Sequence, residues 1–195
     1  ENTAFTTYGG QVVNMLDNMI QNGDVEPTIV VAPTFTKSTA DTFYKEFRAN
    51  VIPLVEGKYS TYAKSVSEED IRASRMHRAF GGFSMGSVTT WTVFQHCLDI
   101  VGYFMPLSGE HWCGTRTPQE KADAMAKAVD ESGLAKNQYF IFAATGDKDI
   151  AYPNFNPMVE EMKKREQFVY TSDFSKGNFY FLVAKGGVHN WFYVR

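Results

Sequence analysis

Arg78-Ala-Phe-Gly-Gly-Phe-Ser84-Met-Gly86-Ser-Val-Thr-Thr-Trp91 is the stretch whose reading decides the fold. An apolar run closes on Gly82-Phe-Ser84-Met-Gly86 and passes straight into a helical pattern with Val88, Trp91, Phe94 and Leu98 on one face. Strand, sharp turn and helix around G-x-S-x-G is the context of a nucleophile elbow, in which a strained turn lifts a serine hydroxyl above the sheet edge. Gly82 and Gly86 lack a Cβ, so strand and helix can close on each other around Ser84. The amide of Met85, at the helix start, then points at any oxyanion formed beside Ser84. The competing reading is a glycine-rich turn whose serine only caps the helix. Two downstream partners for Ser84 weigh against it.

Working outward, 195 residues fit one domain, and a 44% hydrophobic, 15% aromatic chain has the material for a globular core. The net charge of −3, with both signs interspersed, points to neither nucleic acid nor an anionic membrane as partner. No apolar run approaches the ~20 residues needed to span a bilayer. Cys97 and Cys113 show no metal-ligand spacing.

Upstream, residues 10–22 carry Val12, Val13, Leu16, Met19 and Ile20 at helical spacing, with Gly23 as the stop. Residues 28–33 read as a buried strand ended by Pro33, and 39–57 as a helix through Phe43, Phe47, Val51 and Leu54, kinked at Pro53. Residues 65–73 read as a surface loop or short helix. Downstream, strands are expected at 101–107, 138–145 and 179–184. A capping box at Thr117-Pro-Gln-Glu120 opens a helix that ends at Gly133, and Asn156-Pro157 opens another. Strands alternating with helices predict a parallel sheet covered on both faces, in a single domain over residues 1–195.

Chemistry in such a sheet gathers where the carboxyl ends of strands meet their loops. Ser84 lies at one such end, the Asp147/Asp149 turn at another, and His189 follows the last strand. That Ser…Asp…His order is the α/β-hydrolase order. His189 would take the proton of Ser84, and a carboxylate would fix its tautomer. Asp149, three residues past Gly146, is favoured as that carboxylate, with Asp147 as a turn-capping alternative. His77, His96 and His111 lie on a strand's far end, a helix and an aromatic loop, and fit worse.

Ser84 in Gly-Gly-Phe-Ser-Met-Gly, Arg75-Met-His-Arg78, Phe104-Met-Pro-Leu-Ser-Gly109, Ala143-Ala-Thr-Gly146, Asp149-Ile-Ala-Tyr152, residues 170–184 and the His189 loop together resemble the feruloyl esterase modules of bacterial cellulosomal xylanases, esterase D-like α/β-hydrolases. The resemblance implies an α/β-hydrolase fold with a mostly parallel sheet and helices on both faces. It implies hydrolysis of the ester joining ferulic or a related hydroxycinnamic acid to arabinose on xylan, without metal or cofactor. Ser84, His189 and Asp149 match the family's nucleophile, base and acid, the Met85 amide one oxyanion donor, and Trp112 a residue lining the feruloyl pocket. An indole face suits a planar aromatic acid, although a packed loop tryptophan is the plainer reading. Expected partners are feruloylated arabinoxylan or small feruloyl esters, with neighbouring xylanase, carbohydrate-binding or dockerin modules, no nucleic acid and no membrane, in a secreted protein.

The family's His-Gly-Gly-Gly-type loop, which supplies a second oxyanion amide, precedes a Glu-Asn pair, and this chain opens at Glu1-Asn2. Five strands are legible against eight in the family sheet, and the closing helix after residue 195 is missing. The expectation is a C-terminal portion of a larger catalytic domain, inactive or insoluble when expressed alone. Two other readings compete: an acetylxylan esterase or S-formylglutathione hydrolase on the same scaffold, and a non-catalytic binding module.

Overall fold

A computed structural model describes residues 11–34 and 38–193. Two compact units divide the chain, Glu1–Lys37 and Ser38–Arg195. Residue 10, Glu1-Asn2 and the last two residues, on which parts of the sequence reading rest, lie outside the described residues.

In the first unit α1 (Gln11–Asn22) ends at Gly23, whose φ of 78° is the left-handed conformation that closes a helix at no steric cost. Residues 28–33, expected as a strand, form no ladder, and Ile29, Val30 and Val31 are 45–47% exposed. A β-branched run becomes a strand only where a neighbour takes its N–H and C=O groups, and the described residues of this unit offer none.

The second unit opens with one helical run in three parts. α2 (Phe43–Glu46) passes through a π-helical turn (Phe47–Val51) into α3 (Ile52–Lys58). Pro53 is the cause. Its ring crowds the carbonyl four residues back and it has no N–H to give, so the turn before it widens and the Ile52 amide reaches back to Phe47 O. The helix buries Phe43, Phe47 and Ile52, while Leu54, expected inside, is 68% exposed because the wider turn rotates the face that follows it. α4 (Glu68–Ala73) is the short helix, capped by Ser67.

Four parallel strands follow: β1 (Ala79–Phe83), β2 (Tyr103–Leu107), β3 (Phe140–Gly146) and β4 (Phe179–Ala184), side by side in chain order. Register runs Phe83↔Leu107↔Ala144 at the carboxyl end. The crossovers carry α5 (Met85–Cys97), α6 (Pro118–Ser132) and α7 (Tyr152–Met162). Right-handed crossovers between consecutive neighbours bring each helix to the same side of the sheet. There Trp91, Phe94, Met125, Phe155 and Met158 are buried with Phe104, Ile141, Phe179 and Phe181. Phe94 meets Phe104 edge-on at 4.9 Å. On the opposite side Tyr103, Met105 and Leu182 are 40–42% exposed.

α6 has the expected capping box, Thr117 with Glu120, and ends at Gly133 (φ 68°). α7 corrects the sequence reading. It starts four residues earlier, with Pro153 in its first turn and Pro157 inside it. An internal proline costs about 3 kcal/mol, and the burial of Phe155, Met158, Val159 and Met162 outweighs that. At the amino end of the sheet Arg75 donates to the carbonyls of Leu98, Val101 and Gln138. Arg78 pairs with the buried carboxylate of Glu56 and donates to Ile71 O and Ile100 O.

Candidate active site

Ser84 leaves β1 at φ 57° and ψ −115°, a conformation that few side-chain-bearing residues adopt. The surrounding backbone holds it there. Its N–H continues the ladder to Leu107 O at 2.8 Å, and its own carbonyl accepts from the amides of Ser87 and Val88. A Cβ at Gly82 would lie 2.6 Å from the Gly86 backbone, so that glycine is what lets strand and helix touch. Met85, the first helical residue, has an amide with no acceptor inside the helix.

The other two groups arrive from β3 and β4. The turn after β3 and the loop after β4 lie against each other: a Cβ on Gly146 would stand 2.0 Å from Gly187 O, and Lys148 N–H donates to that carbonyl at 2.9 Å. This contact brings Asp149 under His189. His189 Nδ1 lies 2.7 Å from Asp149 Oδ1, and His189 Nε2 lies 2.9 Å from Ser84 Oγ. The geometry demands the tautomer with hydrogen on Nδ1, donating to the carboxylate and leaving Nε2 to accept from the hydroxyl. The His189 ring leans on Phe83 at 4.8 Å, and Phe83 in turn meets Trp191 edge-on.

Asp149 is almost wholly buried. Burial by itself would raise its pKa. The N–H of Ala151, the hydroxyl of Ser108 and His189 together outweigh that and hold the carboxyl below its ordinary range. It is therefore charged through neutral and mildly acidic solution. Asp147, the alternative acid, instead accepts from the Gly186 amide at 2.7 Å and ties the two loops together. The remaining histidines stand elsewhere, His77 stacked on Tyr62 and His96 on Tyr44. His111 is buried, and burial first, then the charges of Lys121 and His96, lower its pKa to about 4.

Trp112 is 47% exposed, not packed, on the loop that follows β2. That loop is firmly based. Gly109 O accepts from Ser87 Oγ at 2.6 Å and Trp91 Nε1 at 3.0 Å, and Glu110 pairs with Lys121 in a buried contact of 3.3 Å. Sequence reasoning missed Ser108, Gly187 and the Phe83–Trp191 pair. Only the Gly-Gly before Val188 carried a signal, as a mark of close backbone approach.

Among the described residues, no group of three or more histidine, cysteine and acidic side chains is placed to hold a metal ion, and no helix is long and apolar enough to cross a membrane.

A parallel sheet with a serine on a strand-to-helix elbow, hydrogen-bonded through a histidine to a buried aspartate, defines an α/β-hydrolase. No protein-family model matches the chain. Over its full length the chain is 59% identical to part of endo-1,4-beta-xylanase Y of Acetivibrio thermocellus, of which it spans 18%. It superimposes with a TM-score of 0.94 and 59% identity on a solved structure of FAE, covering all of this chain and 69% of that one. On the serine-to-alanine mutant of the feruloyl esterase module from Clostridium thermocellum complexed with sinapinate, the TM-score is 0.89 at 61% identity, covering 93% of this chain and 64% of that one. The chain belongs to the family of feruloyl esterase modules.

Proposed function

We propose that the protein is a serine esterase that releases ferulic or a related hydroxycinnamic acid from arabinoxylan through an acyl-enzyme. The observation that carries this reading is the continuous chain of contacts from Ser84 Oγ through His189 to Asp149 Oδ1. As His189 Nε2 takes the hydroxyl proton, Ser84 Oγ attacks the ester carbonyl carbon. The carbonyl oxygen becomes an oxyanion that accepts from the Met85 amide. Collapse of that intermediate breaks the bond to the arabinose oxygen, which leaves with the proton held on His189. Water, deprotonated by the same nitrogen, then attacks the acyl carbon, releases the free acid and restores Ser84. Asp149, fixed and charged, stabilises the imidazolium formed in both halves. The exposed indole of Trp112 offers a flat face for the hydroxycinnamoyl ring.

The relatives' place within larger xylanases supports a module working beside xylanase, carbohydrate-binding or dockerin partners, in a secreted and cellulosome-associated protein. The test is turnover of methyl ferulate by the full-length protein and its Ser84→Ala variant. The variant should lose at least ~10⁴-fold in kcat. Acetyl esters should turn over far more slowly than feruloyl esters, and equal rates would favour an acetylxylan esterase. A fluorophosphonate probe that leaves Ser84 unlabelled would point to a binding module without catalysis.

A further inference from the structure

Besides Ser84, Ser108 is the one described non-glycine residue with positive φ, at 55°. It follows β2 directly, on the rim between the strand end that carries Ser84 and the one that carries the Asp149 turn. Its N–H donates to Ala144 O at 2.8 Å, so β3 holds its backbone in place. A glycine would occupy this conformation at no steric cost, so the serine side chain needs a separate reason to be there.

The hydroxyl supplies one. Ser108 Oγ is buried, and so is Asp149 Oδ2, and neither has a hydrogen-bond partner of ordinary geometry among the described residues. A buried hydroxyl and a buried carboxylate oxygen are each costly alone, and each is what the other lacks. The two do not reach ordinary hydrogen-bond geometry, yet the hydroxyl contributes to holding the carboxyl below its ordinary range. Catalytic contacts of this kind are often long until the reacting complex forms.

We infer that Ser108 is a positioning residue whose hydroxyl donates to Asp149 Oδ2. Asp149 Oδ1 accepts from the Ala151 amide at 2.8 Å and from His189 Nδ1 at 2.7 Å. With Oδ2 held as well, the carboxylate cannot rotate away from the imidazole. Facing Asp149 are charged or chargeable His189 from the loop after β4, neutral Ser108 from the end of β2 and the neutral Ala151 amide at the start of α7. Ser108 thus also draws off part of the carboxylate's charge. Without it, more of that charge faces the imidazole.

The inference rests on the reading of Asp149 as the acid of a serine esterase, and its test separates the two. In the full-length protein, kcat, KM and the pH profile of kcat/KM for methyl ferulate are measured for wild type, Ser108→Ala and Ser108→Gly. The glycine variant removes the hydroxyl while relieving the backbone, so it guards against a folding defect in the alanine variant. Both should lower kcat about tenfold, as expected for a hydrogen bond to a charged group, keep KM within about twofold, and move the acid limb to higher pH. In an Asp149→Asn background, adding Ser108→Ala should change the residual rate little. Wild-type kcat and an unmoved acid limb in both variants would overturn the inference while leaving the esterase reading intact. So would a loss from Ser108→Ala that is as large in the Asp149→Asn background as in wild type. Undiminished turnover by Ser84→Ala would instead bring down the esterase reading, and this inference with it.

Discussion

His111 shows what burial does to a histidine that no partner supports. Both ring nitrogens are buried and lack hydrogen bonds among the described residues, and the pKa is lowered to about 4. The unfolded chain, with an ordinary histidine near 6.5, binds the proton more readily than the folded one. Folding stability therefore falls as pH drops from about 6.5 to 4, by about 3 kcal/mol at the limit. His111→Phe, which keeps a ring and removes the proton site, should flatten that dependence. Urea midpoints at pH 7 and pH 4.5 check it: wild type should lose more between them than the variant does. Asp149 behaves in the opposite sense. Its carboxyl lies below the ordinary range, so its contribution is present at neutral pH and disappears only as strong acid protonates it.

At the scale of elements, the site depends on two loops meeting through bare backbone. Gly146→Ala would drive a methyl group into Gly187 O, which lies 2.0 Å from where that Cβ would stand. The loops must part, and His189 moves away from Asp149. The expected outcome is a loss of about 3 kcal/mol in stability with a fall in kcat of about 10²-fold or more, read by thermal melts and methyl ferulate kinetics. Much at this scale was legible in the sequence. Gly82, Ser84 and Gly86 could serve only a tight strand-to-helix turn, and the Thr117–Glu120 box and Gly133 marked α6 at both ends. Other features depend on contacts distant in the chain. Residues 28–33 have strand composition but no described neighbour in their unit. α7 keeps Pro157 inside because the core beneath it is worth more than one hydrogen bond. Position in the turn favours Asp149 over Asp147, but which carboxylate lies against His189 and which against the Gly186 amide depends on the loop after β4.

For the molecule as a whole, the two ends of the sheet do different work. The carboxyl end carries the linked Ser84, His189 and Asp149 side chains, and the amino end carries Arg75 and Arg78, whose guanidinium groups tie chain segments together through backbone carbonyls. Arg78→Ala would strand Glu56, whose side chain is 7% exposed, as an uncompensated buried charge. The expected cost is about 3–5 kcal/mol in stability, measured by denaturant unfolding, with kcat of the folded fraction unchanged. A change in kcat would mean that the two ends are coupled.

The strand order has one further consequence. β1 and β4 are separated by two strands, so the backbones that deliver Ser84 and His189 leave the sheet about 14 Å apart. Ala184–Gly187 is folded into a turn, closed by Gly187 N–H to Ala184 O at 3.1 Å, which leaves only Val188 and the imidazole's own length to cross the rest of the rim. The width of the sheet thus sets a lower limit on the number of links in that bridge, whatever side chains they carry.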